Sequence, residues 1–371
     1  MSSSERVGDL ARSAIRMWGS GSLHRFFFFL RVALRLWRAQ RRRRRSMRSF
    51  GSPVPTVIAL SPTMKCNYGC IGCYASGRPD EKELDTDELD TLLDEAEEIG
   101  IPAVVLTGGE PLLRKDLLGL IASHRKLLFV FITNGSLLTP EVTRTIAEST
   151  NTVILVSIEG SPEHTDGRRG EGAHGRSVDA FRALRDARAC FGFATTVTRE
   201  NADFIGSDEF IDSMIEEGCS VGYLVEYVPC GERARQEWVV KGEARLKFGG
   251  RVREMRRRKP IVLIHFPDDE YGPDGLCSAA GKESFHINSQ GEVEPCPFVS
   301  ISRDSVRRGG LRAACRSEFL KQIREHPDLL RRSKYACALF EHRAQLEALA
   351  EQFRPHRSRG EEIPEIRHEK R

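Results

Sequence analysis

The chain has 371 residues, of which 40% are hydrophobic and 30% charged, and this length suits one large domain with a smaller one. Thirteen arginines against Glu5 and Asp9 give residues 1–50 a net charge of +11, so the remaining residues carry −7. The basic character is therefore local, which argues against a nucleic-acid-binding protein.

Ten cysteines are too few, in a chain this long, for a small secreted disulfide scaffold. No cleavable export signal is recognisable, and no stretch approaches the ~20 apolar residues that span a bilayer. We therefore expect a cytoplasmic protein whose clustered thiols bind metal.

Residues 26–45, within a basic amphipathic N-terminal extension over 1–50, have the pattern of one helix. Arg31, Arg35, Arg38 and Arg42 recur at helical spacing beside a short apolar block. Two interpretations stay open. The helix lies on the inner face of the membrane with its arginines at anionic head groups, or it packs on the body of the protein ahead of a solvated linker.

From residue 54 to 240, short apolar runs alternate with segments of helical period. The runs are Val57–Leu60, Ala103–Leu106, Leu128–Ile132, Val153–Ile158, Ala194–Val197 and Tyr223–Val228. Asp85 with Glu88 predicts a capped helix that stops at Gly100, and Thr139 before Pro140 predicts another helix start. The alternation predicts an α/β fold of six parallel βα units, either a partial barrel or a doubly wound sheet.

Polar residues gather where these predicted strands end. They are Thr107 to Glu110, Thr133 to Gly135, Ser157, Glu159, Thr196, Thr198 and Glu226. Because the carboxyl ends of parallel strands meet at one edge of the sheet, we expect a single site there.

Three cysteines follow the first predicted strand directly, with the spacing Cys66-x3-Cys70-x2-Cys73. Structural zinc prefers four ligands, and no fourth cysteine is close in sequence. Three thiolates on a four-iron cubane leave one iron open to an outside ligand. The spacing therefore favours an iron–sulfur cluster that binds something else.

This cysteine loop, followed by GGEP at 108–111, resembles the radical S-adenosylmethionine (radical SAM) superfamily. TNG at 133–135, SIEG at 157–160, RRG at 168–170 and TTVTREN at 195–201 extend the resemblance over about residues 54–230. It implies a partial (βα)6 TIM-like barrel in which S-adenosylmethionine, bound to the open iron of a [4Fe–4S] cluster, yields a 5′-deoxyadenosyl radical. A flavodoxin or ferredoxin is the implied electron donor. Gly72 departs from the aromatic residue that many members have before the third cysteine.

The resemblance also implies residue roles. Gly108, Gly109 and Glu110 are expected at the methionyl amine, and Ser157 with Arg169 at the carboxylate and ribose, Arg168 being the alternative to Arg169. Asn134, Glu159, Thr196 and Thr198 are further candidate cofactor contacts, each of which alternatively caps a strand end.

A second set of cysteines lies in residues 260–345, where 277–298 reads as a hairpin around Gln290 and Gly291. Gly291-x4-Cys296 resembles the start of the SPASM/twitch extension, which holds auxiliary clusters. Cys277, Cys296, Cys315 and Cys337 are the expected ligands of one auxiliary [4Fe–4S] cluster, with zinc as the alternative. The charged tail 354–371 is expected to be disordered.

Other candidate groups receive plainer interpretations. Cys190 and Cys219 are expected in the core, and Cys230 there or at the cavity. His265 and His286 are expected to be packed, and the loop of Asp268, Asp269 and Glu270 to be a solvated acidic loop rather than a site for a cationic substrate group.

Three functions remain. The first is a radical SAM enzyme that abstracts hydrogen from a small-molecule or lipid-like substrate, and the second is a peptide-modifying maturase. The third is a non-catalytic iron–sulfur protein, which the intact cofactor motifs argue against.

Overall fold

The structure is a computed structural model that describes residues 23–332 and 335–353. The predicted charged tail and the first 22 residues of the basic extension lie outside the described residues.

One sheet of ten strands organises the molecule, in the order β10-β9-β8-β1-β2-β3-β4-β5-β6-β7. The strands are β1 (Val57–Thr63), β2 (Ala103–Gly108), β3 (Leu128–Thr133), β4 (Thr152–Ser157), β5 (Phe191–Val197), β6 (Val221–Glu226), β7 (Val262–Phe266), β8 (Ser284–Ile287), β9 (Glu292–Glu294) and β10 (Asp304–Ser305). The predicted parallel α/β fold is confirmed for its first six strands.

Two further parallel strands extend that sheet at its ends. β7 pairs with β6, and β8 pairs with β1 from the other side, with Val57 opposite Ser284. The predicted hairpin is present, since β8 and β9 run antiparallel around Gly291 at φ +82°. The hairpin therefore continues the sheet of the βα units.

Fourteen helices are described. They are α1 (Leu23–Phe50), α2 (Thr86–Ile99), α3 (Leu117–Ser123), α4 (Pro140–Glu148), α5 (Pro162–Arg169), α6 (Ala173–Asp186), α7 (Ala202–Ile205), α8 (Asp208–Glu216), α9 (Gly242–Arg258), α10 (Gly310–Ala314), α11 (Glu318–Glu325), α12 (Pro327–Leu330), α13 (Ala338–Glu341) and α14 (Arg343–Glu351). The predicted end signals hold: Asp85 and Glu88 form a capping box on α2, Gly100 ends it in the left-handed conformation, and Thr139 caps α4.

The sheet buries apolar side chains on both faces, as a continuous apolar run predicts. In β3, Phe129 and Phe131 join the core beneath the connecting helices, whereas Leu128, Val130 and Ile132 point to the opposite face. That opposite face is the one that holds α1.

Helix α1 packs across the amino-terminal ends of the strands. Phe28, Phe29 and Val32 are buried against Val153 and Val221, the residues near the starts of β4 and β6. A fully buried side chain of this size stabilises by roughly 1.5–3 kcal/mol. The described part of α1 is therefore seated on the body of the protein through one of its faces.

The carboxyl-terminal half of α1 is fastened by polar contacts and close packing. Arg43 donates to the carbonyl oxygen of Val54 at 2.6 Å and forms an ion pair with Glu283 at 3.1 Å. A Cβ on Gly100 would lie 2.3 Å from the backbone nitrogen of Arg43, so α2 and α1 meet closely there. Within the described residues, α1 and the other helices all fall short of the length and apolarity needed to cross a bilayer.

Candidate functional site

A cavity of about 1200 Å³ lies on the concave face of the sheet, between α1 and the loops at the carboxyl ends of the strands. Most of the predicted site residues line it: Cys66, Cys70, Cys73, Gly108, Gly109, Glu110, Asn134, Ser157, Arg168, Arg169, Thr196, Cys277, Cys296 and Cys337. Glu159, Thr198 and Cys315 lie elsewhere.

The first cysteine loop is held by hydrogen bonds from three other segments. The backbone N–H of Ile71 donates to the carbonyl oxygen of Arg168 at 2.9 Å, and Arg233 donates to that of Cys70 at 3.2 Å. Arg176 donates to the hydroxyl of Tyr68 at 2.6 Å. These contacts fix the backbone that carries the three thiols.

The glycine pair after β2 packs directly on the chain that enters the cysteine loop. A Cβ on Gly109 would lie 2.0 Å from the carbonyl oxygen of Lys65, and one on Gly108 would lie 2.6 Å from that of Thr63. Gly108 also has φ +97°, which favours glycine. No larger residue fits at either position, which explains the GG of this motif.

Tyr74 joins the cysteine loop to the glycine motif and was not predicted as part of the site. Its hydroxyl accepts a hydrogen bond from the backbone N–H of Gly108 at 2.9 Å and lies 2.7 Å from Oγ1 of Thr107. The aromatic residue of this loop is therefore Tyr74, just after the third cysteine. The position before that cysteine, where many family members have an aromatic residue, is occupied by Gly72.

Glu110 is buried and binds the neighbouring strand end. Its carboxylate accepts from the hydroxyl of Thr133 at 2.8 Å and from the backbone N–H of Asn134 at 2.7 Å. Burial raises the pKa of Glu110, an effect that these hydrogen bonds oppose. The side chain therefore both faces the cavity and holds the GGEP and TNG loops together.

Glu159 acts through two arginines rather than at the cavity surface. It forms ion pairs with Arg168 and Arg169, and it accepts from the backbone N–H of Thr196 at 2.8 Å. Burial disfavours its charge, but the two guanidinium groups outweigh that cost and hold the pKa of Glu159 below its ordinary value. Arg169 also approaches the sulfur of Cys70 at 4.0 Å. Glu159 is thus a positioning residue.

Thr198 and Asn134 make contacts in different parts of the site. The backbone N–H of Thr198 donates to Oδ1 of Asn201 at 2.7 Å, so this threonine shapes the turn after β5 and does not face the cavity. Asn134 donates to the side-chain oxygen of Asn67 in the cysteine loop at 2.8 Å. Two roles were predicted for Thr198, a cofactor contact or a cap at a strand end. Its hydrogen bond to Asn201 agrees with the second.

Cys277, Cys296 and Cys337 form a second group of thiols in the same cavity. The Cys296 thiol donates a hydrogen bond to the Cys337 sulfur, which lowers the pKa of Cys337 and raises that of Cys296, and burial raises the pKa of Cys277. The closeness of these three thiols in one cavity makes them candidate metal ligands.

The structure places Cys315, the fourth expected ligand, apart from this second group. Cys315 ends α10, which packs against α2 on the helix-covered side of the sheet. It does not line the cavity that holds Cys277, Cys296 and Cys337. Cys230 packs against the core, and its neighbour Gly231 lies close to the first cysteine loop, since a Cβ there would be 2.2 Å from the carbonyl oxygen of Cys73.

A buried chain of polar groups connects the two cysteine segments. Ser61 Oγ lies 2.7 Å from Nε2 of His286, whose Nδ1 lies 2.7 Å from Oε2 of Glu294, and Arg78 forms an ion pair with that carboxylate at 2.9 Å. Arg78 follows the first loop closely in sequence, and Glu294 precedes Cys296. The predicted packed histidine thus links β1 to the hairpin.

This chain of contacts predicts a pH dependence of stability. Burial lowers the pKa of His286, an effect that Glu294 opposes, whereas an unfolded histidine titrates near about 6.5. Below that pH the unfolded state binds the extra proton, so stability is lost as the pH falls. We expect the urea midpoint of the wild-type protein to fall more steeply between pH 7.5 and 5.5 than that of His286→Gln. Parallel slopes would contradict this assignment.

In the loop after β7, arginines neutralise two of the three carboxylates that were expected to be solvated, and the third, Glu270, lines the cavity. Asp269 pairs with Arg256, and Asp268 pairs with Arg332. Glu226, His265 and Asp268 bring three ligand atoms within 4.8 Å of one another, but Arg245 donates to Glu226 at 2.6 Å. The guanidinium supplies the positive charge that a metal ion would bring.

The spacing of the thiols bears on which metal centre they fit. Within residues 23–332 and 335–353, no three cysteine sulfurs lie within 4.8 Å of one another. Three thiolates on one tetrahedral zinc, with Zn–S near 2.3 Å, would lie about 3.8 Å apart. The described thiols are therefore not arranged as a closed zinc site, and Arg168 and Arg169 line the cavity beside the first cysteine loop.

Comparisons with known proteins decide the family. The Radical SAM superfamily profile matches residues 60–211. The mycofactocin maturase MftC of Mycobacterium ulcerans is 32% identical over 279 residues, covering 68% of this chain and 71% of that protein. An AdoMet-dependent heme synthase of Nitratidesulfovibrio vulgaris is 29% identical over 305 residues, covering 74% of this chain and 82% of that protein.

This chain belongs to the radical SAM superfamily. The crystal structure of Streptococcus suis SuiB bound to S-adenosylmethionine has the same fold, with a TM-score of 0.64 at 16% identity, covering 82% of this chain and 76% of that one. The predicted resemblance is thereby confirmed. Membership implies a [4Fe–4S] cluster and S-adenosylmethionine as the cofactors of this radical SAM enzyme.

Proposed function

We propose that this radical SAM enzyme abstracts hydrogen from an apolar small molecule bound in the cavity on the concave face of its sheet. One observation carries the proposal: the three-cysteine loop, the strand-end motifs and the apolar face of α1 all line the same cavity. The bound cluster and S-adenosylmethionine supply an electron and a 5′-deoxyadenosyl radical. The protein's part is to hold, orient and shield them.

In this proposal, Cys66, Cys70 and Cys73 hold the cluster, and Gly108 with Gly109 let the GGEP loop pack closely against the chain that enters the cysteine loop. Arg169, fixed by Glu159, meets the carboxylate, because a guanidinium offers two parallel donors. Arg168 faces the same cavity and remains the alternative. Asn134, Ser157 and Thr196 are the further polar contacts.

The substrate class rests on the other end of the cavity. There, Phe28, Phe29 and Val32 of α1 meet Leu155 and Tyr223 of the sheet, so the wall is apolar. A concave, mostly apolar site with a few polar groups suits a small molecule. Because α1 covers the amino-terminal ends of the strands, the substrate is enclosed from that side.

A peptide substrate is the second candidate, and the relatives favour it. MftC is named a maturase, and one SuiB structure is bound to the precursor peptide SuiA. The heme synthase relative is named for a small-molecule product instead.

The proposal includes one auxiliary [4Fe–4S] cluster held by Cys277, Cys296 and Cys337. With two cubanes, the reconstituted chain should contain about eight irons. We expect Cys337→Ala to retain about four, and the matched variant Cys315→Ala to retain about eight, because Cys315 lies away from the cavity. Loss of iron from Cys315→Ala, or a wild-type value of about four, would contradict this assignment.

The activity test uses the reduced holoenzyme with S-adenosylmethionine and a flavodoxin or ferredoxin as donor. We expect release of 5′-deoxyadenosine to be stimulated by the low-molecular-mass, organic-soluble fraction of a cell extract. Stimulation that survives protease treatment supports the small molecule, and stimulation that protease destroys supports a peptide. No release at all, with the iron of both clusters intact, would support the non-catalytic alternative.

A further inference from the structure

The outward face of α1 carries an apolar stripe that the described part of the chain leaves exposed. The side chains of Phe27, Leu30, Leu34 and Trp37 are 50%, 45%, 46% and 56% exposed. Seven large apolar side chains are exposed among the described residues, and these four of them lie on α1 at helical spacing. We call them the outer stripe.

Seating α1 on the protein does not require the outer stripe. Phe28, Phe29 and Val32, on the opposite face, already bury the helix against the sheet. A helix that is apolar on two faces, of which only one packs on the protein, presents the other as a candidate interaction surface. Isolated exposed apolar residues need no explanation, but a regular row of them does.

Charge decides which partner suits this surface. Arg31, Arg38, Arg41, Arg44, Arg45 and Arg48 are all exposed on the same helix. The sequence has no acidic residue between Asp9 and Asp80, so α1 has no acidic residue of its own to neutralise them. The guanidinium of Arg41 lies 4.2 Å from the centre of the Trp37 ring, so cation and stripe are joined.

We propose that the outer stripe docks the enzyme on an anionic lipid bilayer. The helix lies in the plane of the interface, with its apolar row among the acyl chains and its arginines at phosphate groups. A nucleic acid would use the charges but would leave Leu30 and Leu34 exposed to water. The amino-terminal ends of the strands then face the membrane, whichever substrate the cavity takes.

The test is flotation of the holoenzyme with vesicles of phosphatidylcholine, with and without phosphatidylglycerol. We expect binding to the anionic vesicles that weakens as salt is raised. Leu30→Ser, Leu34→Ser and Trp37→Ser should each weaken binding by about tenfold, because each removes a buried apolar side chain. Leu246→Ser is the matched control, since Leu246 is 72% exposed on α9, away from the stripe, and it should bind as the wild type does.

Unchanged iron content in every variant shows that the fold is intact. Equal flotation of the stripe variants and the wild type would overturn the proposal, as would equal binding to neutral vesicles. The proposal would also be overturned if the protein did not bind vesicles but formed a concentration-dependent dimer that the same substitutions disrupt. The outer stripe would then contact a second copy of the chain.

Discussion

Alanine in place of Cys73 is expected to remove about four irons from each chain and to reduce 5′-deoxyadenosine release to background. The reason is geometric, because this loop supplies only three thiolates to a cubane. Loss of one leaves two cluster irons without a protein ligand. Cys66→Ala and Cys70→Ala should behave alike. Iron content and the release of 5′-deoxyadenosine from anaerobically reconstituted protein measure both effects.

Cys219→Ala is the control for this experiment. Cys219 is 1% exposed in the core beneath the helices, so its loss costs packing but should leave the iron content and the activity in place. If Cys73→Ala kept its full iron, or if spectroscopy of the wild-type loop showed zinc, the assignment of this centre would be wrong.

Alanine in place of Gly109 is expected to weaken the binding of S-adenosylmethionine although every cysteine remains. Its Cβ would lie 2.0 Å from the carbonyl oxygen of Lys65, the residue before Cys66, and backbone atoms yield only by moving the loop. A displacement of about 1 Å at a reacting centre can cost about a hundredfold in rate. We expect binding, followed by equilibrium dialysis on reconstituted protein, to weaken by at least about tenfold.

Gly119→Ala is the matched substitution. A Cβ on Gly119, inside α3, would meet nothing within 4 Å. Alanine in a helix interior should stabilise the protein by about 0.5–1 kcal/mol relative to glycine, without effect on cofactor binding. Tight binding by Gly109→Ala would show that the glycine pair serves only the turn.

The strands and the site at their carboxyl ends could be predicted because each of these features depends on residues close together in the sequence. The run Thr152–Ser157 is buried on both faces, and the polar residues that follow such runs meet at one edge of the sheet. The cysteine loop falls beside the glycine pair because their strands, β1 and β2, are neighbours.

What could not be read from sequence depends on contacts between distant segments. Ser284 pairs with Val57, more than 200 positions earlier, and no local pattern specifies that register. Cys315 looked like a ligand by its residue type alone, yet α10 carries it to the helix-covered side. The amphipathic pattern of α1 was predicted from the sequence. The sequence did not show which of its apolar residues pack on the sheet and which are exposed.

The position of β8 has a consequence for how the protein can be divided. β1 is an interior strand only because Ser284–Ile287 lies along its outer side. Cutting the gene between the βα units and the second cysteine segment would turn β1 into a bare edge of unpaired amides and carbonyls, which invites aggregation. The two segments are therefore expected to fold only as parts of one chain. Either half expressed alone is expected to aggregate.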